Sequence, residues 1–350
     1  MVYTRYRVSN ERNFNLPDFN RNNYLEAYRG SKVLITGGAG FLGSNMAHRL
    51  VQIGAHVTVV DSMIPTYGGN LFNLEDIINK IHFNISDVRD QNSMSYLVSA
   101  IDYIFNLAGQ ISHLDSMLDP FTDLEINCRS QLALLETCRK VNPTVKIVYA
   151  GTRQIYGNPD YLPVDENHLV RPVDVNGINK AAGERYHLLY QSVYGMRTTS
   201  LRLTNCYGPR QWMKDNRLTS QGWLLRLIME NKETQLFGDG QQLRDLNYVD
   251  DVVDAFLRAG AIEASNGHFF NLGGEPYSLL QQVETMIELA KRGSYRLVPW
   301  PPEKKAISIG DYYGDYSKIK AMLGWEPRTD LRTGLKQTIE FYDKYKEYYF

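Results

Sequence analysis

A cluster of glycines near the start of the chain has the spacing of a phosphate-binding loop. Gly38, Gly40 and Gly43 form a G-x-G-x-x-G pattern, which directly follows an apolar run and directly precedes a stretch of helical periodicity. Glycine allows a tight turn and lets backbone N–H groups approach a pyrophosphate, while the positive end of the following helix stabilises the anion. The residues predicted to form this dinucleotide-binding loop are Gly37, Gly38, Ala39, Gly40, Phe41, Leu42 and Gly43.

An acidic residue follows the loop at the distance that ribose recognition requires. Asp61 closes the second apolar run, about 20 residues beyond the glycines, where a carboxylate can bind the 2′-hydroxyl of an adenosine ribose. Because a carboxylate repels a 2′-phosphate, Asp61 favours NAD over NADP. Asp87 and Val88, after the third run, either flank the adenine or belong to an ordinary loop.

Short apolar runs alternate with helix-like stretches and would position these residues. The runs lie at 32–36, 56–61, 80–84, 102–109, 145–151 and 197–205. The helix-like stretches between them lie at 41–53, 90–99, 121–140 and 177–194. Continuous Val/Ile/Leu runs indicate strands that are buried on both faces, as in a parallel sheet. The alternation therefore predicts an α/β fold with a Rossmann-like, doubly wound parallel sheet.

The regular alternation ends after Asn205, where prolines and irregular segments begin. We therefore predict an NAD-binding Rossmann domain over 31–205, to which 247–271 returns. A smaller C-terminal lobe that binds the substrate is predicted over 206–246 and 272–350.

The composition argues against several classes of partner and site. The 350 residues include 38 Lys+Arg and 39 Asp+Glu, a balance that disfavours nucleic acid or an anionic membrane surface as a partner. Three separated cysteines argue against a disulfide framework and against a metal site, so a reducing, cytoplasmic compartment is expected. Residues 1–30 form a polar extension without the apolar segment of a secretory signal, and ordered structure is expected from Ser31.

Further motifs follow the glycine loop in an order that resembles the extended short-chain dehydrogenase/reductase family, specifically its NAD-dependent nucleotide-sugar epimerases and dehydratases. They are FNLAGQ (105–110), EINCRSQLALLE (125–136), VYAGTRQIYG (148–157), NKAAGERY (179–186), LRLTNCYGPR (201–210), GDGQQLRDLNYVDDV (238–252), FNLGG (270–274) and LGWEP (323–327). The resemblance implies bound NAD and a homodimer formed through the helix-like stretches at 121–140 and 173–194.

In this family a Ser or Thr, a Tyr and a Lys carry the chemistry, the last two spaced as Y-x-x-x-K. By motif position Thr152 matches the Ser/Thr and Lys180 matches the Lys, whereas Asn176 stands at the position of the Tyr. An amide cannot accept a proton at neutral pH. Three explanations stay open: another base (His113, Lys180 itself or Tyr207), a substrate that needs less base assistance, or a site that has lost catalysis.

The resemblance also implies contacts to the cofactor and the substrate. For the cofactor it adds Leu107, Ala108, Gly109 and Lys180. For a nucleotide-diphosphate sugar it adds Gln110, Arg153, Asn205, Arg210 and Arg244. Amide donors and guanidinium groups suit phosphate oxygens, while UDP and CDP are not distinguished. Arg153 either contacts the sugar or is an ordinary solvent-facing arginine.

One alternative reaction is disfavoured by the residues after Thr152. The family's 4,6-dehydratases place Asp-Glu there as acid and base, whereas this chain has Arg153 and Gln154, neither of which exchanges protons at pH 7. The sequence thus predicts an NAD-dependent nucleotide-sugar epimerase that oxidises a sugar carbon transiently, with an atypical active site at Asn176. The alternatives are an oxidoreductase that forms a keto-sugar with NAD turnover, and a catalytically inactive nucleotide-sugar-binding pseudoenzyme.

Overall fold

Seven parallel strands form the central sheet of the protein, which a computed structural model describes at residues 23–214, 216–301 and 309–350. In chain order they are β1 (Lys32–Thr36), β2 (His56–Asp61), β3 (His82–Ile85), β4 (Tyr103–Asn106), β5 (Lys146–Thr152), β6 (Arg197–Leu203) and β10 (Phe269–Asn271). Across the sheet they lie in the order β10-β6-β5-β4-β1-β2-β3, and every pairing is parallel. This arrangement confirms the predicted Rossmann-like α/β fold.

Helices cover both faces of this sheet. Those of the first 200 residues are α1 (Phe41–Ile53), α2 (Gln91–Val98), α3 (His113–Leu118), α4 (Pro120–Leu124), α5 (Ser130–Val141) and α6 (Val175–Tyr194). Val33 and Ile35 of β1 pack in a core cluster with α1 and with the later helix α8 (Val249–Ala261), whereas Leu34 packs in a cluster with α2 and α5. Consecutive strand residues thus enter opposite cores, which explains why the strands read as continuous apolar runs.

A second lobe follows the central strands and has its own hydrophobic cluster. Its strands are β7 (Asn205–Tyr207), β8 (Glu233–Phe237), β9 (Leu243–Tyr248), β11 (Pro276–Ser278) and β12 (Ser294–Val298), arranged as one sheet of order β11-β9-β7 and one pair β12-β8. Its helices are α7 (Ser220–Met229), α9 (Leu279–Ala290) and α11 (Leu331–Tyr345). Helix α10 (Ser317–Leu323) instead packs against β10, in the core cluster of the central sheet. Within the described ranges, no helix is long and apolar enough to cross a membrane.

Several short segments of 3₁₀ or π helix connect these elements. The 3₁₀ segments are Tyr24–Tyr28, Pro65–Tyr67, Leu71–Lys80, Arg153–Tyr156, Glu263–Ser265 and Lys346–Tyr348. A π-helical turn at Glu125–Arg129 separates α4 from α5, and π turns within helices frequently occur at functional sites.

Ordered structure begins before Ser31, which corrects the expectation from the sequence. Tyr28 is fully buried, and its hydroxyl donates to the carbonyl of Leu257 in α8 at 2.6 Å. Its ring lies 4.8 Å from that of Tyr103. A single 3₁₀ turn is too short to show helical periodicity, so only its long-range contacts reveal it. Residues 1–22 of the predicted extension lie outside the described residues.

Candidate active site

A cavity of about 1180 Å³ runs along the carboxyl ends of the central strands. The segments that follow β1, β2, β4 and β5 line it, and residues of the second lobe such as Phe237 and Arg244 close its far side. Strand order reverses between β1 and β4, and ligands of doubly wound sheets bind at such a reversal.

The glycine loop at the start of α1 fits a dinucleotide pyrophosphate. Gly37 has a φ of +68°, and a Cβ there would lie 2.9 Å from the backbone of Ala108. A Cβ on Gly43 would lie 2.3 Å from the Gly37 carbonyl oxygen. Gly40 precedes the first residue of α1 and has no side chain to cap it, so the first N–H groups of the helix are left for an anion in the cavity.

Most of the predicted cofactor residues line this cavity. They are Gly37, Gly40, Phe41, Leu42, Gly43, Asp61, Asp87, Val88, Leu107, Ala108, Gly109 and Lys180. Gly38 and Ala39 lie behind the loop instead: a Cβ on Gly38 would lie 2.5 Å from the Val59 side chain, and Ala39 is fully buried. These two residues therefore pack the loop against the protein interior and do not face the cavity.

Asp61 is fixed at the end of β2 by two backbone groups. Its Oδ2 accepts the N–H of Ala39 at 3.0 Å, and its Oδ1 accepts the N–H of Met63 at 2.9 Å. Burial raises the pKa of Asp61, and these two hydrogen bonds oppose that shift. Asp87 also lines the cavity and pairs with Arg89 at 2.6 Å. The Asp61 carboxylate, fixed by the two backbone N–H groups, can still accept hydrogen bonds from a ribose.

Helix α6 brings Asn176 and Lys180 to the cavity one helical turn apart. The Nζ of Lys180 lies 3.4 Å from the carbonyl oxygen of Ala150. Gly109 leaves room for the ammonium group, since a Cβ there would lie 2.7 Å from Nζ. Burial lowers the pKa of Lys180 to about 8, although the charge of Asp123 opposes the shift.

Asn176 belongs to a ring of amides around the buried carboxylate of Asp123. Its Nδ2 donates to the Gln110 carbonyl at 2.8 Å and to Asp123 Oδ2 at 3.0 Å. Asn127 donates to the same Oδ2 at 3.0 Å, and Asn179 donates to Oδ1 at 2.7 Å. The three amides satisfy a carboxylate that is out of contact with solvent. We name this group the Asp123 network.

The Asp123 network explains the place of Gln110. Gln110 is buried and does not line the cavity, and its carbonyl accepts from both Asn176 and Asn127. Its own amide donates to the carbonyl of Ser112 at 2.8 Å. The sequence placed Gln110 at the substrate, whereas the structure places it behind Asn176.

His113, the first residue of α3, faces the cavity beside the start of α6. Its Nδ1 lies 2.5 Å from Oδ2 of Asp174, whose Oδ1 caps α6 by accepting the N–H of Gly177 at 2.7 Å. The other ring nitrogen of His113 contacts the side-chain amide of Gln154. Burial alone would raise the pKa of Asp174, but the hydrogen bonds from His113 and Gly177 hold it below its usual value.

Two guanidinium groups face the substrate side of the cavity. Arg153 follows β5 directly and lies over the ring of Tyr312, with 4.6 Å between Cζ and the ring centroid. Arg244 donates to the carbonyl oxygens of Leu243 at 2.7 Å and Gly310 at 2.5 Å. Burial and, to a smaller extent, the charge of Arg153 lower the pKa of Arg244 to about 10. Two neighbouring cations make this end suitable for an anionic ligand.

The remaining predicted substrate residues divide between the cavity and the interior. Asn205 lines the cavity, and its amide donates to the backbone carbonyl of Asp245 at 3.3 Å. Arg210 does not line it: its guanidinium turns away and donates to Oδ1 of Asn45 at 2.8 Å. Trp300, which the sequence did not single out, lines the cavity beside Phe237, with 5.4 Å between ring centroids.

Three described tyrosines, at 207, 316 and 342, lie away from the cavity beside Asn176. Tyr207 is buried in the cluster of the second lobe and does not line the cavity, which removes it as the alternative base. Tyr316 and Tyr342 each begin a Y-x-x-x-K pattern, ending at Lys320 and Lys346. Both also lie away from the cavity, and the Tyr342 hydroxyl donates to the carbonyl of Gln211 at 2.8 Å. Tyr67 lines the cavity in the segment after β2, where burial and the charges of Asp115 and Asp119 raise the pKa of its phenol.

Comparison with known proteins identifies relatives of this chain. A model of the NAD dependent epimerase/dehydratase family matches residues 33–273. The putative UDP-glucose 4-epimerase of Methanocaldococcus jannaschii is 33% identical over 313 residues, which cover 88% of this chain and 97% of that protein. The UDP-glucose 4-epimerase of Mycolicibacterium smegmatis is 31% identical over 315 residues, covering 89% and 98%. The structure of a Thermotoga maritima UDP-glucose 4-epimerase with UDP-glucose superposes with a TM-score of 0.81 at 31% identity, over 90% of this chain and 99% of that one.

Proposed function

The chain belongs to the NAD dependent epimerase/dehydratase family, and on that premise we propose that it is an NAD-dependent nucleotide-sugar epimerase. The observation that carries this proposal is one continuous cavity. It holds the glycine loop and Asp61 at one end, Thr152 and Lys180 in the middle, and Arg153 and Arg244 at the other end. A dinucleotide and a nucleotide sugar can therefore meet beside Lys180.

The residues that would hold NAD fit that cofactor. N–H groups of the glycine loop would hold the pyrophosphate, and Asp61 would accept from the adenosine ribose. The ammonium of Lys180 would donate to the nicotinamide ribose. When bound, NAD takes a hydride from a sugar carbon and returns it.

Thr152 is prepared to orient the reacting oxygen of the sugar. Its Oγ1 already accepts the N–H of Gln154 at 3.2 Å, so its O–H hydrogen is left to donate into the cavity. The Asn176 amide is committed to the Asp123 network and holds the adjoining wall in place.

We propose a UDP-sugar as the substrate, because two relatives that are 33% and 31% identical to this chain are named as UDP-glucose 4-epimerases, the first of them putative. Arg244 and Asn205 suit the diphosphate, while Arg153 suits a polar or anionic group of the sugar. Phe237 and Trp300 offer an aromatic surface for the base.

Released cofactor and reaction products test the proposal together. The purified protein is denatured and its NAD and NADH are quantified, and the native protein is incubated with UDP-, CDP- and dTDP-sugars while products are followed by NMR. An epimerase releases near-stoichiometric dinucleotide and interconverts two sugars without accumulating NADH. Accumulating NADH with a keto-sugar indicates the oxidoreductase, and bound NAD without turnover of any sugar indicates the pseudoenzyme. Either result contradicts the proposal.

We also propose a homodimer, formed through the outer faces of the helices between α3 and α6. Large apolar side chains are exposed there, including Leu118 at 84% and Phe121 at 77%, with Ile178, Leu189 and Val193 on α6. A monomeric protein rarely exposes so many large apolar side chains on neighbouring helices.

We expect Phe121→Glu to raise the dimer dissociation constant at least about tenfold, since a buried aromatic anchor contributes 2 kcal/mol or more in a typical interface. Multi-angle light scattering over a dilution series measures the change. Tyr96→Glu is the matched control, because Tyr96 on α2 is 82% exposed and lies outside these helices. Equal dissociation constants for the two variants would place the interface elsewhere.

A further inference from the structure

The proposed reaction removes a proton from a sugar hydroxyl, and the amide at Asn176 cannot accept it. We propose that His113, oriented by Asp174, is the catalytic residue that takes this proton and returns it. The inference rests on the proposed function and deepens it, because it assigns the base of the same site.

The contact between the two side chains fixes the tautomer of the imidazole. An ionised carboxylate only accepts hydrogen bonds, so the Nδ1 of His113, 2.5 Å from Asp174 Oδ2, carries the hydrogen. The lone pair of the neutral ring is then on Nε2. The side chain of His113 is 42% exposed and lines the cavity, whereas that of Asp174 is only 14% exposed. Both residues line the cavity, and the imidazole is the more accessible of the two.

Helix α6 connects this pair to the rest of the site. Asp174 caps the helix through the N–H of Gly177 and precedes Asn176 by two residues. The same helix carries Lys180 into the cavity one turn later. The carboxylate that orients His113 is thus positioned by the element that also positions the ammonium group.

Gln154 can form a hydrogen bond with His113 in either protonation state of the imidazole. Its Nε2 contacts the ring Nε2, and its Oε1 is buried without a hydrogen-bond partner among the described residues. An amide can donate from its nitrogen to a neutral imidazole or, after turning over, accept at its oxygen from an imidazolium. A sugar hydroxyl that binds His113 takes the place of this amide at Nε2.

Lys180 is the competing candidate for the base near Thr152. Its surroundings favour the role of a hydrogen-bond donor to the cofactor. Its side chain is buried, and Nζ lies between the carbonyl of Ala150 and the Gly109 backbone. That position suits a donor to the cofactor better than an acceptor from the sugar. His113 has the more open approach to the cavity.

The proton step balances within this site. The O–H bond of the sugar hydroxyl breaks, and an N–H bond forms at Nε2 of His113. The electron pair of the broken bond forms the carbonyl as the neighbouring hydrogen leaves as hydride to the nicotinamide cofactor. When the hydride returns to carbon, the Nε2 proton returns to oxygen, and the negative charge of Asp174 stabilises the imidazolium in between.

Three variants test the assignment in the NAD-loaded protein. We expect His113→Gln to lower kcat by about 10²–10⁴-fold with little change in KM, because the base is lost while the cavity remains. In His113→Ala, added imidazole should restore part of the turnover. Asp174→Asn keeps an acceptor for the helix cap but cannot stabilise an imidazolium, so kcat should fall by about tenfold or more. Asp90→Asn, the same change at the cap of α2, is the control and leaves kcat unchanged.

A readout other than turnover accompanies these measurements. The hydrogen-bonded Nδ1–H of His113 should give a low-field proton resonance in wild type and Asp90→Asn, which is lost in His113→Gln and Asp174→Asn. NAD content should be equal in all variants, which shows that they fold. Wild-type turnover together with near-normal kcat in His113→Gln would overturn the base assignment and leave the epimerase proposal standing. Bound NAD without turnover in wild type would overturn both.

Discussion

Lys180→Met is expected to lower kcat/KM by at least about 10²-fold, the effect of removing one positioned donor from an active site. Methionine matches the lysine side chain as far as Cε and removes the ammonium group with its charge and its three donors. The Nζ of Lys180 is enclosed by Gly109 and the Ala150 carbonyl, so water cannot easily take its place. Steady-state assays with whichever nucleotide sugar the NMR experiment shows to be converted measure the change.

The pH profile of the wild type provides a second test of Lys180. Burial lowers its pKa to about 8, so the ammonium loses its proton as pH rises through that value, and kcat/KM should fall there. Lys318→Met is the matched control, since Lys318 is half-buried, donates to the Phe269 carbonyl at 2.7 Å and lies outside the cavity. Similar losses in both variants would show that Lys180 acts through stability rather than chemistry.

Glu184→Gln is expected to lower the free energy of unfolding by about 3–5 kcal/mol, because it leaves a buried arginine without its counter-ion. Glu184 accepts two hydrogen bonds from Arg202, at 3.0 and 2.6 Å, and a third from Ser200 at 3.0 Å. Arg202 is only 1% exposed. Urea unfolding followed by circular dichroism measures the difference.

A surface pair with two hydrogen bonds of similar length supplies the control for Glu184. Glu288 also accepts two hydrogen bonds from one arginine, Arg332, at 2.8 and 2.6 Å, but both side chains are exposed. Exposed pairs contribute about 0–1 kcal/mol, so Glu288→Gln should change the free energy of unfolding by no more than that. A loss as small in Glu184→Gln would mean that burial of the Arg202 pair has no energetic effect.

The strands show how far the fold could be predicted. The runs 32–36 and 56–61 coincide with β1 and β2, because strands buried on both faces are apolar along their whole length. The run 197–205 proved to be two elements: β6 ends at Leu203, and Asn205 begins β7 in another sheet. Nothing in the local pattern marks that change of partner.

The candidate site was predictable where its residues follow one another in the chain. The glycine loop is such a case, because β1, the turn and α1 follow one another directly and form the loop themselves. The partner of His113 is 61 residues away at Asp174, and Asn176 meets Asp123 across 53 residues. Such pairs arise from the packing of α6 against α3 and α4, which the local sequence does not encode.

The Asp123 network makes the residue at position 176 depend on its neighbours. A phenol at this position would remove one of the three amide donors to a buried carboxylate and place a ring where the backbone of Gln110 now accepts a hydrogen bond. A change of Asn176 to Tyr is therefore expected to be epistatic with Asp123 and with the asparagines around it. These four side chains form one mutational unit, in which the residue at each position sets what the other three tolerate.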